Sequence, residues 1–159
     1  MDAGLTIPVW CIIDVPAILN DFPQGGNPDN PTYLGAYGAS DKYIAMVAQQ
    51  PFVDKGEGSS ELEIKAPKGS VIQLMANTFA QPSMYSVLLV DAQPNMDPVC
   101  TSFVEVDLPN GMRVLSATVL ENVDVGAYAG YYITIQVVNP ENFKAPYFYK
   151  WDPKITVAG

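Results

Sequence analysis

Histidine is absent from the 159 residues. That removes Ser-His-Asp and Cys-His nucleophile pairs, the usual zinc sites and the commonest general base near neutral pH. Arginine occurs once, as Arg113, so no cluster of guanidinium forks is available to clamp phosphates. The two cysteines, Cys11 and Cys100, are too few for a disulfide scaffold. Cys11 sits in the apolar run Val9-Trp10-Cys11-Ile12-Ile13 and reads as a small buried hydrophobe. Cys100, after Pro98-Val99, reads as the start of a strand, and the two could pair only if their strands were neighbours. No apolar run reaches about 18 residues, and Met1-Asp2-Ala3-Gly4 carries no basic segment. Neither a membrane span nor a signal peptide is expected, and a cytoplasmic location is.

Positive charge is also scarce. Eight Lys and Arg face 17 Asp and Glu, for a net charge of -9 and a pI near 4.2. Such a surface repels phosphate backbones and anionic membranes, so no nucleic-acid or membrane partner is expected. Two readings of the acidity remain: it keeps the protein soluble, or it collects a hard cation such as calcium.

The rest of the composition describes a folded β protein. Hydrophobic residues make up 48% and charged ones 16%, which excludes a disordered tail or a coiled coil. The length suits one domain over residues 1–159, large enough to bury a full core without staples. Fourteen Pro and twelve Gly, with nine Tyr and many β-branched residues, point to short strands joined by tight turns.

Strands are predicted at 5–14, 42–49, 61–66, 71–79, 84–90, 101–107, 112–121 and 131–138. Two more fall in 147–157, split at Asp152-Pro153. Residues 61–66 alternate cleanly, with Leu62 and Ile64 facing in. Asn110-Gly111 marks a hairpin, and Asn139–Asn142 a turn. Residues 15–22 read as one or two helical turns, with Pro16 tolerated at the start and Pro23 as the stop. The expected fold is all-β: a two-sheet antiparallel β-sandwich with at most one short helix, a closed barrel being the alternative. Trp10 and Phe148 are the residues most expected inside.

Four blocks of sequence, in order, resemble the PixA/AidA family of bacterial inclusion-body proteins. The first is the strand ending at Asp14 with its short helix, then Asn27-Pro28-Asp29-Asn30-Pro31-Thr32, then Lys42-Tyr43-Ile44-Ala45-Met46-Val47. The second is Gly58–Ala66 with Gly69-Ser70-Val71-Ile72, and the third is Tyr85–Leu89. The fourth is the terminal Tyr147-Phe148-Tyr149-Lys150-Trp151-Asp152-Pro153 with Lys154–Val157. The resemblance spans nearly the whole chain. It implies an immunoglobulin-like or jelly-roll-like sandwich without catalytic activity, found in dense or crystalline cytoplasmic inclusions. It also implies a lectin role with calcium at the sugar site. The chain departs from the family where Ser40-Asp41 replaces a histidine before the lysine-tyrosine strand, and in the insertion-like residues 33–40.

The residues offer three places for chemistry. In the loop 27–41, Asn27, Asp29, Asn30, Thr32 and Asp41 bring side-chain oxygens close in sequence, and Asp14 could converge with them. Asp29, Asn30 and Asp41 suit a calcium shell completed by sugar hydroxyls, with Tyr33 or Tyr37 stacked on the ring. The plain alternative is turn chemistry, the side chains closing Asx-turns on their own backbone. The aromatic set Tyr147, Phe148, Tyr149, Trp151, Tyr128, Tyr131 and Tyr132 could form a platform for sugar or self-association, or pack the core. Glu61, Glu63, Glu105, Asp107, Glu121 and Asp124 could pair for glycoside hydrolysis, or merely face solvent. Two functions follow: a carbohydrate-binding module, or a structural protein of dense inclusions. Self-association, most simply as a homodimer, is common to both.

Overall fold

A computed structural model of the chain describes residues 5–36, 38–78, 85–138 and 146–159. Tyr37, the strand ends at Phe79 and Met84, and the turn 139–142 lie outside the described residues. The chain runs through β1 (Thr6–Ile13), α1 (Val15–Asp21), β2 (Thr32–Tyr33), β3 (Ile44–Ala48), β4 (Val53–Lys55) and β5 (Glu63–Pro67). It continues through β6 (Val71–Thr78), β7 (Ser86–Pro94), β8 (Val104–Asp107), β9 (Arg113–Thr118), β10 (Tyr128–Val138), β11 (Tyr147–Trp151) and β12 (Lys154–Ala158). Short 3-10 turns at Ala39–Lys42 and Gln50–Phe52 flank β3. Among the described residues, no helix is long and apolar enough to cross a membrane.

The strands form two sheets. One has five strands in the order β3-β1-β6-β9-β8. The other has seven, in the order β2-β11-β10-β12-β5-β4 with β7 on β10. The protein is mostly β, as expected, but the sheets are not antiparallel throughout. β1 pairs parallel with β6, β11 with β2, and β12 with β5. Alternation along a strand has the same period whichever way its neighbour runs, so it reports burial and not direction.

One core joins both sheets. Ile7, Val9, Cys11 and Ile13 of β1 and Ile133, Ile135 and Val137 of β10 belong to it, with Tyr149 and Trp151 of β11. Leu62 and Ile64 point inward as their alternation predicts. Trp10 does not: Val9 and Cys11 take the inward positions, so Trp10 lies half-buried on the outer face of the five-stranded sheet. The fully buried tryptophan is Trp151, whose indole N–H donates to Met46 Sδ at 3.3 Å and so ties β11 to β3 across the core. Phe148 is buried, on the opposite side of β11 from Trp151. Cys11 and Cys100 are both buried and unpaired, and burial pushes each thiol up to about 12.

Asp152-Pro153 interrupts a strand without changing its course. Ile133 faces Trp151 before the break and Gly130 faces Lys154 after it, so β11 and β12 run along one edge of β10 in one register. Proline has no N–H to give the ladder. Its carbonyl still accepts from Tyr131 N at 2.9 Å. The Asn110-Gly111 signal also forms, as the hairpin between β8 and β9, with Gly111 at φ 84° and Met112 N donating to Asn110 Oδ1.

Helix α1 begins at a cap: Asp14 Oδ1 accepts from Ala17 N at 3.1 Å, and Pro16 occupies the first turn, where no intrahelical N–H is needed. At its other end Asp21 accepts from Lys42 Nζ and from the Tyr43 hydroxyl, each at 2.6 Å. Those bonds, Lys42 first, hold its carboxyl down from 3.8 to about 2. A carboxylate with a lowered folded pKa stabilises the fold above its unfolded value and loses that contribution as pH falls through the folded one. Thermal stability should therefore fall as pH drops from about 4 to about 2, and Asp21→Asn should show a shallower fall over that window. Melting curves across it, for both proteins, check this; parallel curves would show that the bonds contribute nothing.

Candidate functional site

The loop after α1 is built by its own side chains. Asn27 Oδ1 accepts from the N–H groups of Asp29 (3.0 Å) and Asn30 (2.9 Å), while the backbones of Asn27 and Asn30 bond reciprocally at 3.3 and 3.1 Å. This is Asx-turn chemistry, with Pro28 and Pro31 fixing the flanking backbone. Two strand contacts anchor the turn. Gly26 exchanges backbone bonds with Phe148 at 3.1 and 3.2 Å, and β2 pairs with β11 immediately after it.

The anchored turn forms one wall of a cleft of about 250 Å³ on the outer face of the seven-stranded sheet. Pro28, Asp29 and Pro31 line the turn side. The floor comes from three strands: Asp91 and Gln93 of β7, Tyr132 and Thr134 of β10, and Lys150 of β11. Their meeting is a matter of register. Tyr132 pairs with Gln93, and Thr134 lies between Asp91 and Lys150. A register shift after Thr134 breaks the β7 ladder there; such irregularities re-aim side chains. Asp91 is held in place by Gln93 Nε2, at 3.0 and 3.1 Å to its two oxygens, and by its neighbour's N–H.

Tyr132 is the aromatic of the cleft. Lys150 Nζ sits 4.6 Å from its ring centroid, and Tyr33 meets it edge-on at 5.9 Å. The Tyr33 hydroxyl donates to Asp152 Oδ1 at 2.6 Å; burial, then this bond, pushes the phenol well up, so it stays a neutral donor. The arrangement has hydrogen-bonding groups of both kinds around a ring.

The residues singled out in the sequence divide. Asp29 lines the cleft and Tyr33 braces its aromatic; Asn27 and Asn30 shape the wall. Asp14 is spent on the helix cap. Asp41 Oδ1 accepts from both Ser60 N (2.8 Å) and Ser60 Oγ (2.7 Å), and Ser40 Oγ donates to Ser60 Oγ at 2.6 Å. This network, buried at Ser40 and Ser60 and open at Asp41, locks the end of the long loop onto the segment before β5. Nearby, burial raises the carboxyl of Glu61, opposed by the Gly38 N–H and reinforced by Asp152 and Asp41. Glu105 and Asp107 flank Arg113 at the exposed β8–β9 hairpin. Asp91, Gln93, Thr134 and Lys150 were not among the residues the sequence marked out. Only the even spacing of Tyr132 and Thr134 within β10 signals a shared face.

A family model described as PixA, inclusion body protein, matches residues 5–157. The chain belongs to the PixA family. A crystal structure of a PixA inclusion body protein from Burkholderia cenocepacia J2315 superposes with a TM-score of 0.81 at 18% sequence identity, covering 98% of this chain and 97% of that one. At that identity the likeness is one of fold. No curated protein matches the sequence. The PixA match thus supplies membership and architecture, and the chemistry rests on the side chains.

Calcium takes six to eight oxygens, about half of them from carboxylates in tight sites. Among the described residues no three Asp, Glu, His or Cys side chains gather around one point. The cleft offers Asp29 and Asp91, and both oxygens of Asp91 already accept from Gln93. This donor set does not fit a preformed calcium site.

Proposed function

We propose that this PixA-family protein is a non-catalytic, lectin-like module that holds a carbohydrate in the cleft between the Asn27–Asn30 turn and the outer face of β7, β10 and β11. The observation that carries this reading is the grouping of Asp29, Asp91, Gln93, Thr134 and Lys150 around the Tyr132 ring. Sugar rings present hydroxyls of both hydrogen-bonding senses at their rim and an apolar C–H face. Carboxylates accept from the rim, lysine donates to it, and a tyrosine ring packs on the face. The open cleft suits a terminal sugar more than a buried metabolite.

A glycan array, run with and without EDTA, tests the reading. Retention of at least one glycan class is expected, undiminished by EDTA. Tyr132→Ala and Asp91→Asn should each weaken it about tenfold or more, the cost of a lost stacking contact or a charged hydrogen bond. No retention by the wild-type protein sinks the lectin reading. Retention that EDTA abolishes sinks its cation-free form.

A second reading is that of a structural protein packed into cytoplasmic inclusions; the family's description supports it. Imaging cells that express the chain checks this: dense foci are expected, and diffuse protein at high concentration counts against it.

A further inference from the structure

A second tyrosine faces outward on β10, one turn of alternation beyond the cleft. Ala129 and Tyr131 point into the core, so Tyr128, Gly130 and Tyr132 share the outer face of the seven-stranded sheet. Tyr128 lines a separate cleft of about 350 Å³ with Met96, Asp97 and Pro98. That cleft stands open to solvent: Tyr128 is 50% exposed and Met96 48%.

The two clefts are built alike. Lys150 pairs with Thr134, just past Tyr132 on the same face, and reaches back to 4.6 Å from that ring. Lys154 pairs with Gly130, just past Tyr128 on the same face, and reaches back to 4.1 Å. Each ring also has a carboxylate beside it, Asp91 in the first cleft and Asp97 in the second. The Asp97 carboxylate has no hydrogen-bond or ion-pair partner among the described residues. Asn95 lies between the clefts. Its backbone N–H donates to the Gly130 carbonyl at 2.9 Å, and its side-chain amide covers Gly130 so closely that a Cβ there would lie 2.4 Å from Nδ2. The outer face of β10 thus presents ring, amide and ring in a row.

We propose that the ligand is a linear oligosaccharide laid along β10, with its terminal sugar in the Tyr132 cleft and an inner sugar on Tyr128. This deepens, and rests on, the carbohydrate reading of the Tyr132 cleft. The strand rise between positions 128 and 132 sets the two tyrosines about 13–14 Å apart. No single sugar ring spans that gap, whereas a short oligosaccharide does. The direction follows from the wall. Gly26 bonds Phe148, which pairs with Gln136, and Tyr33 pairs with Lys150, which pairs with Thr134. The turn segment therefore flanks residues 134–136, at the end of the row away from Tyr128. The glycan ends there, and the rest of it runs toward Tyr128. At that second cleft the ring, Met96 and Pro98 suit an apolar C–H face, while Asp97 accepts from hydroxyls and Lys154 donates to them. The Asn95 amide, donor and acceptor at once, serves the sugar between.

Isothermal titration calorimetry tests the extended site. The probes are the terminal monosaccharide of the glycan retained on the array and oligosaccharides of increasing length that end in it. Affinity should rise about tenfold once the glycan is long enough to reach Tyr128. Tyr128→Ala should cancel that gain, so that long and single sugars bind alike. Asp97→Asn, at an exposed position that folding tolerates, should cut the gain about threefold. Tyr132→Ala should weaken every length. Equal affinity for all lengths, or a gain that survives both Tyr128→Ala and Asp97→Asn, overturns the extended site and leaves the terminal-sugar reading standing. A wild-type protein that binds no length overturns both.

Discussion

Trp151→Ala should cost about 3–5 kcal/mol, a third or more of the stability of an ordinary domain. Trp151 is 0% exposed, belongs to the core shared by the two sheets, and donates its indole N–H to Met46 Sδ on the opposite sheet. Truncation removes the largest fully buried side chain and leaves a cavity between layers whose backbones are pinned by ladders on β10 and β2. Such a site collapses poorly, and the cost then sits at the upper end of the range. For a chain of this length each kcal/mol moves the midpoint by about 2–4 °C, so a loss of about 10 °C or more is expected. Trp10→Ala is the internal control. Trp10 lies outside the shared core, so the isolated chain should lose less than half as much. Urea denaturation of both variants separates them. Equal losses would mean that Trp10, not Trp151, carries the layer contact.

That pair of tryptophans also shows what could be read from the residues alone. The run Val9-Trp10-Cys11-Ile12-Ile13 is apolar throughout, and continuous apolar runs mark strands buried on both faces. The expectation that Trp10 is inside followed from that rule. The strand instead turns Val9 and Cys11 to the core, and Trp10 stays half-buried on the other side. By contrast, Leu62 and Ile64 alternate with polar neighbours and point inward as expected, because one face of β5 meets the core.

Local signals did well and pairings did not. Asp14 before Val15-Pro16 was legible as a strand end followed by a short helix, and Asn110-Gly111 as a hairpin. The parallel partnerships of β1 with β6 and β12 with β5 join segments about 60 and 90 residues apart, with no turn between them to announce the register. The candidate site failed in the same way. Asp29 and Tyr33 sit on a turn whose composition draws the eye. Asp91, Thr134 and Lys150 meet only because β7, β10 and β11 pair in one register, and no spacing in the chain encodes that. Asp41 looked like a ligand because it ends the same loop, yet its oxygen is committed to Ser60.

Gly26→Ala should abolish sugar retention while leaving most of the fold intact. A Cβ at this position would lie 2.0 Å from the carbonyl oxygen of Asn30 and 2.9 Å from Thr32 N, both backbone atoms that cannot swing aside as a side chain tip can. The requirement is one of space: the chain doubles back so tightly between Asn27 and Thr32 that only hydrogen fits. Relief means either breaking the Asn27–Asn30 bonds or lifting Gly26 from Phe148, at about 1–3 kcal/mol for an overpacked site. Either movement carries Pro28, Asp29 and Pro31 away from Tyr132 and opens the wall of the cleft. The midpoint should fall by only several degrees, since the core between the sheets is untouched. Binding should fall much further, because the groups that would meet the sugar lose their common geometry. Asp29→Ala is the necessary comparison: it removes one contact and leaves the wall standing, so it should weaken retention about tenfold without eliminating it. If Gly26→Ala binds as well as the wild-type protein, the turn is a connector after all. The sugar, if bound, then rests on the strand floor alone.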